Sequence, residues 1–269
     1  MNAELRIIVD VAAYRLRRLE MANLVAAGLI MVALSLPALE LFVRGLFGAL
    51  LNLLVYLNND YLDRDEDLTH AGRDQARTSF LHEHAGAAVR AQLGLLSLLL
   101  ALGLFWGGSL PWALIIGGGV CWAYSAWLKR IPGADVPAMM LWGVAMPSVA
   151  LPPDAPIEGW LLLGQLGLFS GVFETIQVMR DHDEDAKAGV RTSAVALGLP
   201  RMKILVRLLL VAAGAYGGYF FHPALAVVPL LLAGTKIPEP ATMHQYWNRV
   251  RLGLGVVFLA ECAWVWGTM

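Results

Sequence analysis

The chain has 269 residues, 58% of them hydrophobic and only 15% charged, with a mean hydropathy of +0.61. Soluble domains carry about a quarter charged residues, so this composition excludes a soluble fold and indicates an all-α integral membrane protein. The formal charge of −1 comes from 20 basic and 21 acidic residues gathered between apolar runs, which leaves no extended basic field for nucleic acid.

Residues 1–20 carry Arg6, Arg15, Arg17 and Arg18 and lack a cleavable signal pattern, so they are expected to form an amphipathic helix on the cytoplasmic surface. Apolar runs then follow at 21–41, 43–62, 86–107, 110–128, 134–152, 158–180, 203–221, 223–236 and 248–268, nine expected spans in a single domain. Pro37, Glu40 and Arg44 mark an outer turn between the first two, and cytoplasmic loops are expected over 60–84 and 181–202. Cys121 and Cys262 sit inside apolar runs without metal-ligand or disulfide spacing and read as core residues. With the N-terminus cytoplasmic, nineteen of the 20 Lys and Arg residues fall on the inner side and Arg44 alone falls outside. That is the positive-inside pattern, and one miscounted span would destroy it.

The second run ends in NLLVYLNNDYLDRDED (52–67) and the sixth in ETIQVMRDHDED (174–185), on the same side of the membrane. Helical spacing predicts one stripe of Asn52, Tyr56, Asn59, Asp63 and Asp67 and another of Glu174, Gln177, Asp181 and Asp185. Polar groups at that depth need a wet cavity, so the stripes predict a polar pocket open to the cytoplasm. Carboxylates repeated at i and i+4 repel one another unless a cation holds them, and oxygen ligands without His or Cys suit Mg²⁺. Mg²⁺ takes further ligands from phosphates, so facing acidic pairs in an apolar bundle suggest a clamp for a lipid diphosphate. Lys129, Arg130, Lys187 and Arg191 are candidates for the remaining phosphate oxygens. Gly189 is expected to turn the chain after the second cluster, with Thr192 or Ser193 capping a short helix.

These residues resemble the UbiA superfamily of intramembrane prenyltransferases. Its NDxxDxxxD motif is matched by Asn59, Asp60, Asp63 and Asp67, and its second motif with its tail by Asp181, Asp185, Gly189, Thr192, Ala194 and Gly198. Tyr124 to Lys129 resembles the family's tyrosine-to-lysine signature with one extra residue. The resemblance implies nine helices around a central cavity in the inner membrane of a prokaryote. It implies two Mg²⁺ ions at Asn59, Asp63, Asp67, Asp181 and Asp185, a prenyl diphosphate donor and a hydrophobic, aromatic acceptor, with the tail leaving sideways into lipid. Tyr56, Tyr124, Glu174 and Gln177 are candidate substrate-binding residues, and Tyr56, Trp122, Tyr124, Trp127 and Trp142 candidate π faces for an allylic cation.

The chain departs from members that prenylate aromatic acids: after the first motif it carries Arg73 and Arg77 without the proline of an Arg-x-x-Arg-Pro run. His70, His82 and His84 near the mouth are candidates for a proton relay, and Glu174 and Glu261 for intramembrane polar work. Two other readings remain open, a terpene cyclase of the same fold that needs no acceptor and a cation transporter. The acids cluster at one end, which disfavours conduction, and the single long motif of CDP-alcohol phosphotransferases is absent.

Overall fold

The computed structural model describes residues 2–18, 20–68 and 74–269, and among the described residues there is no strand. Helix α1 (Ala3–Arg17) starts at Asn2, whose side chain accepts the Leu5 N–H at 2.9 Å. Its Ile7, Val11 and Arg15 are buried, while Leu5, Val9 and Leu16 are exposed on the other face. Two further helices follow, α2 (Ala22–Ala33) and α3 (Ala38–Leu62).

Here the chain differs from the expected 21–41 and 43–62 boundaries. Ser35 takes φ 53° and Pro37 stands at the N-cap of α3, so the turn falls at 34–37 and α3 starts earlier. Glu40 and Arg44 therefore lie inside α3 and not in an outer turn. Arg44 is 1% exposed, paired with Glu40 at 2.5 Å and donating to the Val149 and Leu151 carbonyls at 3.1 and 2.9 Å. Arg44 thus satisfies backbone that no regular helix covers.

The expected loop at 60–84 contains the end of α3 and two short helices, α4 (Arg64–Asp67) and α5 (Gln75–Glu83), before α6 (Ala85–Trp106). Gly107 and Gly108, at φ 75° and 64°, turn the chain into α7 (Leu110–Trp112). A π-helical turn, Ala113–Gly118, joins α7 to α8 (Gly119–Ala126). Helix α9 (Asp135–Ala145) leads through a 3-10 turn to α10 (Ile157–Arg180). The expected loop at 181–202 is likewise partly helical, with α11 (His182–Ala188) and α12 (Ser193–Leu197). The chain closes with α13 (Leu199–Phe220), α14 (Val227–Gly234) and α15 (Met243–Thr268).

Among the described residues, five helical segments are long and apolar enough to cross a membrane: α3, α6, α10, α13 and Pro240–Thr268. Shorter apolar helices occupy Ala22–Ala33, Leu110–Ala126 and Pro223–Gly234. The most central is α10, with 67% of its apolar window buried, and it packs on α9, α13 and α15. Small residues allow this: a Cβ on Gly143 of α9 would sit 2.1 Å from Ser170 Oγ, and one on Gly171 would sit 2.7 Å from Met140 Cγ. Close backbone approach is how helices gain packing energy where hydrocarbon surrounds them. It also fixes the register of α10, and with it the depth of Glu174, Gln177 and Asp181.

Candidate active site

Helix α3 ends at Leu62, and Asp63 is its C-cap, its N–H donating to the Asn59 carbonyl at 2.9 Å. On the face toward α8, Ser125 Oγ donates to Asn59 Oδ1 at 3.0 Å, and Lys129 Nζ to Asp63 Oδ1 at 2.5 Å. Helix α4 folds Asp67 back into a buried position, its N–H donating to the Asp63 carbonyl at 2.8 Å. The predicted stripe from Asn52 to Asp67 is therefore divided. Asn52 is buried and donates to the Gly48 carbonyl at 3.1 Å. Tyr56 turns to the N-terminal segment: its hydroxyl donates to the Glu20 carbonyl, and the Arg15 guanidinium lies 4.4 Å over its ring. Tyr56 does not line the polar pocket described below.

Asp60, in the same motif, serves a different purpose from Asp63. It is 2% exposed and accepts both Arg15 Nη2 from α1 and Arg77 Nη1 from α5, which ties two surface helices to α3. Its motif position gave no sign of this, because its partners lie 45 and 17 residues away.

The second cluster stays together. Descending α10 from its C-terminal end, Asp181, Gln177 and Glu174 line a cavity of about 150 Å³ shared with Tyr124, Lys129 and Asp185. Arg180 Nε and Nη2 donate to the two Asp181 oxygens at 2.6 and 2.8 Å. Tyr124 donates its hydroxyl to Glu174 Oε1 at 2.6 Å, deep in the bundle. The extra residue between Tyr124 and Lys129 is absorbed by a break at Trp127 (φ −155°, ψ −40°) and a 3-10 turn at Leu128–Arg130, so both side chains reach the cavity.

Burial, followed by the charge of Asp181, raises the Asp185 carboxyl from its usual 3.8 to about 6, while the Thr192 hydroxyl, donating at 3.3 Å, opposes the shift. Thr192 stands at the N-cap of α12 but spends its hydroxyl on Asp185, and Gly189 ends α11 in the left-handed region (φ 74°), as the turn requires.

Asp135, which the sequence did not flag, pins this loop. It is fully buried, and Ser193 donates to it through both its N–H (2.7 Å) and its hydroxyl. Ser193 Oγ in turn accepts the Gly133 N–H at 2.7 Å. An Asp in the first turn of an apolar helix was the available signal.

The remaining candidates divide between site and surface. Arg130, Lys187 and Arg191 are exposed and do not line the cavity. His82 pairs with Asp65 at 3.0 Å and His84 stacks on Phe80, both away from the cavity; His70 and Arg73 lie outside the described residues. Trp127 is exposed, and Trp142 packs against Gly117. Glu261 is buried near Gly217 and Gln165, remote from both acidic clusters in sequence and position. Trp122 lines a second, apolar groove of about 420 Å³ between α3, α6 and α8, with Leu54, Leu62, Leu93, Leu96 and Gly118.

The donor set suits a hard divalent cation, since Asn59, Asp63, Asp67, Asp181 and Asp185 offer only oxygen. Among the described residues no three His, Cys, Asp or Glu side chains close into a cage by themselves. Asp63 is instead held by Lys129 and Asp181 by Arg180. Such an arrangement fits Mg²⁺, which keeps waters and takes substrate phosphates in place of a full protein cage.

A model of the UbiA prenyltransferase family matches residues 22–260. The chain belongs to that family. As a member it is a prenyltransferase, and its integral membrane character follows from the family and from its apolar helices. Curated relatives include the 4-hydroxybenzoate octaprenyltransferases of Pseudomonas syringae pv. tomato and Serratia proteamaculans. The first is 28% identical over 83% of this chain and 81% of its own length, the second 30% identical over 61% and 57%. Among solved structures, a digeranylgeranylglyceryl phosphate synthase superposes with a TM-score of 0.77 at 15% identity, covering 99% of this chain and 100% of that one. A UbiA homologue from Archaeoglobus fulgidus, bound to GPP and Mg²⁺, gives 0.68 at 17% identity, covering 99% and 100%. These likenesses concern the fold, and every UbiA motif position named above lies within the matched span.

Proposed function

We propose that this UbiA member ionises a prenyl diphosphate at the cytoplasmic face of the membrane and transfers the prenyl group to an aromatic acceptor. The reading carries the family's nine-span, N-cytoplasmic arrangement with it. The observation that carries it is the polar cavity in which Lys129, Asp181 and Asp185 meet above Tyr124 and Glu174.

Asn59, Asp63 and Asp67 on one side, with Asp181 and Asp185 on the other, would hold Mg²⁺ as two ions. When bound, Mg²⁺ supplies positive charge to the departing diphosphate oxygens. Lys129 exchanges Asp63 for a phosphate oxygen, a charge-assisted bond that strengthens as the leaving group gains charge. Arg180 holds Asp181 by two bonds, which orients that carboxylate before substrate arrives. Tyr124 presents its ring beside the cavity floor, where an allylic cation would need a π face and freedom from water. The apolar groove lined by Leu62, Leu96 and Trp122 starts one residue from Asp63 and offers the tail a path between α3 and α6.

The test is diphosphate release by purified protein with geranyl, farnesyl and geranylgeranyl diphosphates, Mg²⁺ and aromatic acceptors. Asp63→Ala and Asp181→Ala are each expected to lower turnover by about 10³-fold or more while the protein stays folded in detergent. Release that needs no acceptor and yields a cyclic product would replace transfer by cyclisation. Retained turnover in both variants would sink the proposal.

A further inference from the structure

Resting on this transferase reading, we infer that Asp135 is a positioning residue for the diphosphate site: from outside the cavity it fastens the segment carrying Asp185 and Thr192 to the segment carrying Lys129. Asp135 stands in the first turn of α9, fully buried, and does not line the cavity. Its Oδ2 accepts the Ser193 N–H at 2.7 Å, and its Oδ1 accepts both the Val136 N–H at 2.8 Å and the Ser193 hydroxyl. A carboxyl group without exposure is tolerable only when its oxygens are satisfied, and two of these three bonds reach across 58 residues of chain. Ser193 Oγ in addition accepts the Gly133 N–H at 2.7 Å, so the turn that follows Lys129 is tied to the same point.

Both tied segments are irregular. Residues 190–192, between α11 and α12, follow no helical ladder, and Val190 and Thr192 line the cavity beside Asp185. Residues 131–134 likewise form a turn between the 3-10 segment of Lys129 and α9. Stretches of this kind keep their shape through bonds to other elements, because they make few of their own. Ser193 opens α12, so its N–H has no acceptor within that helix. Asp135 supplies the acceptor from α9, and Thr192, standing at the N-cap, is left to give its hydroxyl to Asp185 at 3.3 Å. Cutting the Asp135 bonds would thus loosen the Thr192–Asp185 wall and the Lys129 turn together. Partners that orient metal-binding side chains from behind are worth about 10- to 100-fold in affinity.

The experiment compares the full-length protein with Ser193→Ala, Asp135→Asn and Asp135→Ala in detergent. Ser193→Ala removes the hydroxyl and keeps the N–H bond, and Asp135→Asn keeps one accepting oxygen. In the metal-free proteins, hydrogen exchange at the amides of 190–193 is expected to quicken about tenfold in Ser193→Ala and further in Asp135→Ala, with the α10 amides unchanged. With Mg²⁺, geranyl diphosphate and an aromatic acceptor, the donor KM and the Mg²⁺ concentration for half-maximal activity should each rise about tenfold or more, while kcat stays within about threefold. Asp135→Asn should recover part of what Asp135→Ala loses; if Asp135→Ala does not fold, the two milder variants decide. An unchanged donor KM and Mg²⁺ requirement in both milder variants overturns the inference. So does a rise in exchange that extends equally to α10, since Asp135 would then serve the fold alone. Calorimetric binding of geranyl diphosphate with Mg²⁺ separates the two levels. If the unmodified protein binds the donor and Ser193→Ala binds it equally well, the inference falls and the donor site stands; if the unmodified protein does not bind it, both fall.

Discussion

Asp60 and Asp63 lie three residues apart in one motif, yet they answer to different physics. Asp60 is buried between Arg15 and Arg77, and both of those arginines leave a buried Nε without a partner, so the group is desolvated on every side. Removing one member of such a set strands the others, at a cost of about 3–5 kcal/mol. Asp60→Asn should therefore lower the thermal midpoint in detergent and the yield of folded protein. Asp63→Asn should cost less stability, because Lys129 keeps access to the cavity water, while abolishing Mg²⁺-dependent donor binding. Equal melting of the two variants would contradict this division. Asp185 makes a second prediction at this scale. With its carboxyl at about 6, one proton must leave before Mg²⁺ can bind below that pH. The Mg²⁺ concentration for half-maximal activity should rise about tenfold per pH unit below 6 and stay level above it. The same shift makes the metal-free protein lose stability as pH rises from 3.8 to about 6, since the folded chain holds that proton more tightly than the unfolded one. Thr192→Val removes the bond that favours the charged form, so the pH threshold should move upward. A Mg²⁺ requirement flat from pH 5 to 8 would rule out the assignment of Asp185.

At the scale of elements, helical period placed Glu174, Gln177 and Asp181 on one face correctly, because α10 runs unbroken from Ile157 to Arg180. The same arithmetic failed for the first motif. Helix α3 stops at Leu62 and α1 docks on its flank, which draws Tyr56 and Asp60 away while Asn59 and Asp63 keep to α8. No spacing rule within α3 contains that information, since it depends on a helix more than 40 residues earlier in the chain. The apolar groove was equally hidden, for its wall combines α3, α6 and a π-helical turn that apolar composition alone does not reveal. It gives the element-scale prediction. Gly118 lines the groove, and a Cβ there would meet nothing closer than Leu114 Cδ1 at 3.8 Å, so a larger side chain can enter without displacing backbone. Gly118→Phe should leave kcat/KM for geranyl diphosphate within about threefold and reduce it for geranylgeranyl diphosphate by roughly tenfold or more. Parallel loss for both donors would place the tail elsewhere.

For the whole molecule, the distribution of charge makes a claim about direction that the helices can test. Each of the nine apolar runs contains a helix, though the joins moved where proline and left-handed residues cut the pattern. What the sequence made legible was which segments avoid water; how far each helix extends was set by caps such as Pro37 and by tertiary partners such as the carbonyls held by Arg44. Helix α10 has 24 residues, about 36 Å of rise, enough to cross the hydrocarbon once. Asp154 before it and Glu184 after it are both exposed, so they must emerge on opposite sides if α10 spans. The two native thiols are buried and should be silent to a membrane-impermeant maleimide. If the Lys- and Arg-rich ends face the cytoplasm, Asp154→Cys is expected to label in intact cells and Glu184→Cys only after permeabilisation. Reversed labelling would keep the fold and turn the active site outward. Labelling of both in intact cells would deny that α10 crosses, and with it the depth on which the placement of Glu174 depends.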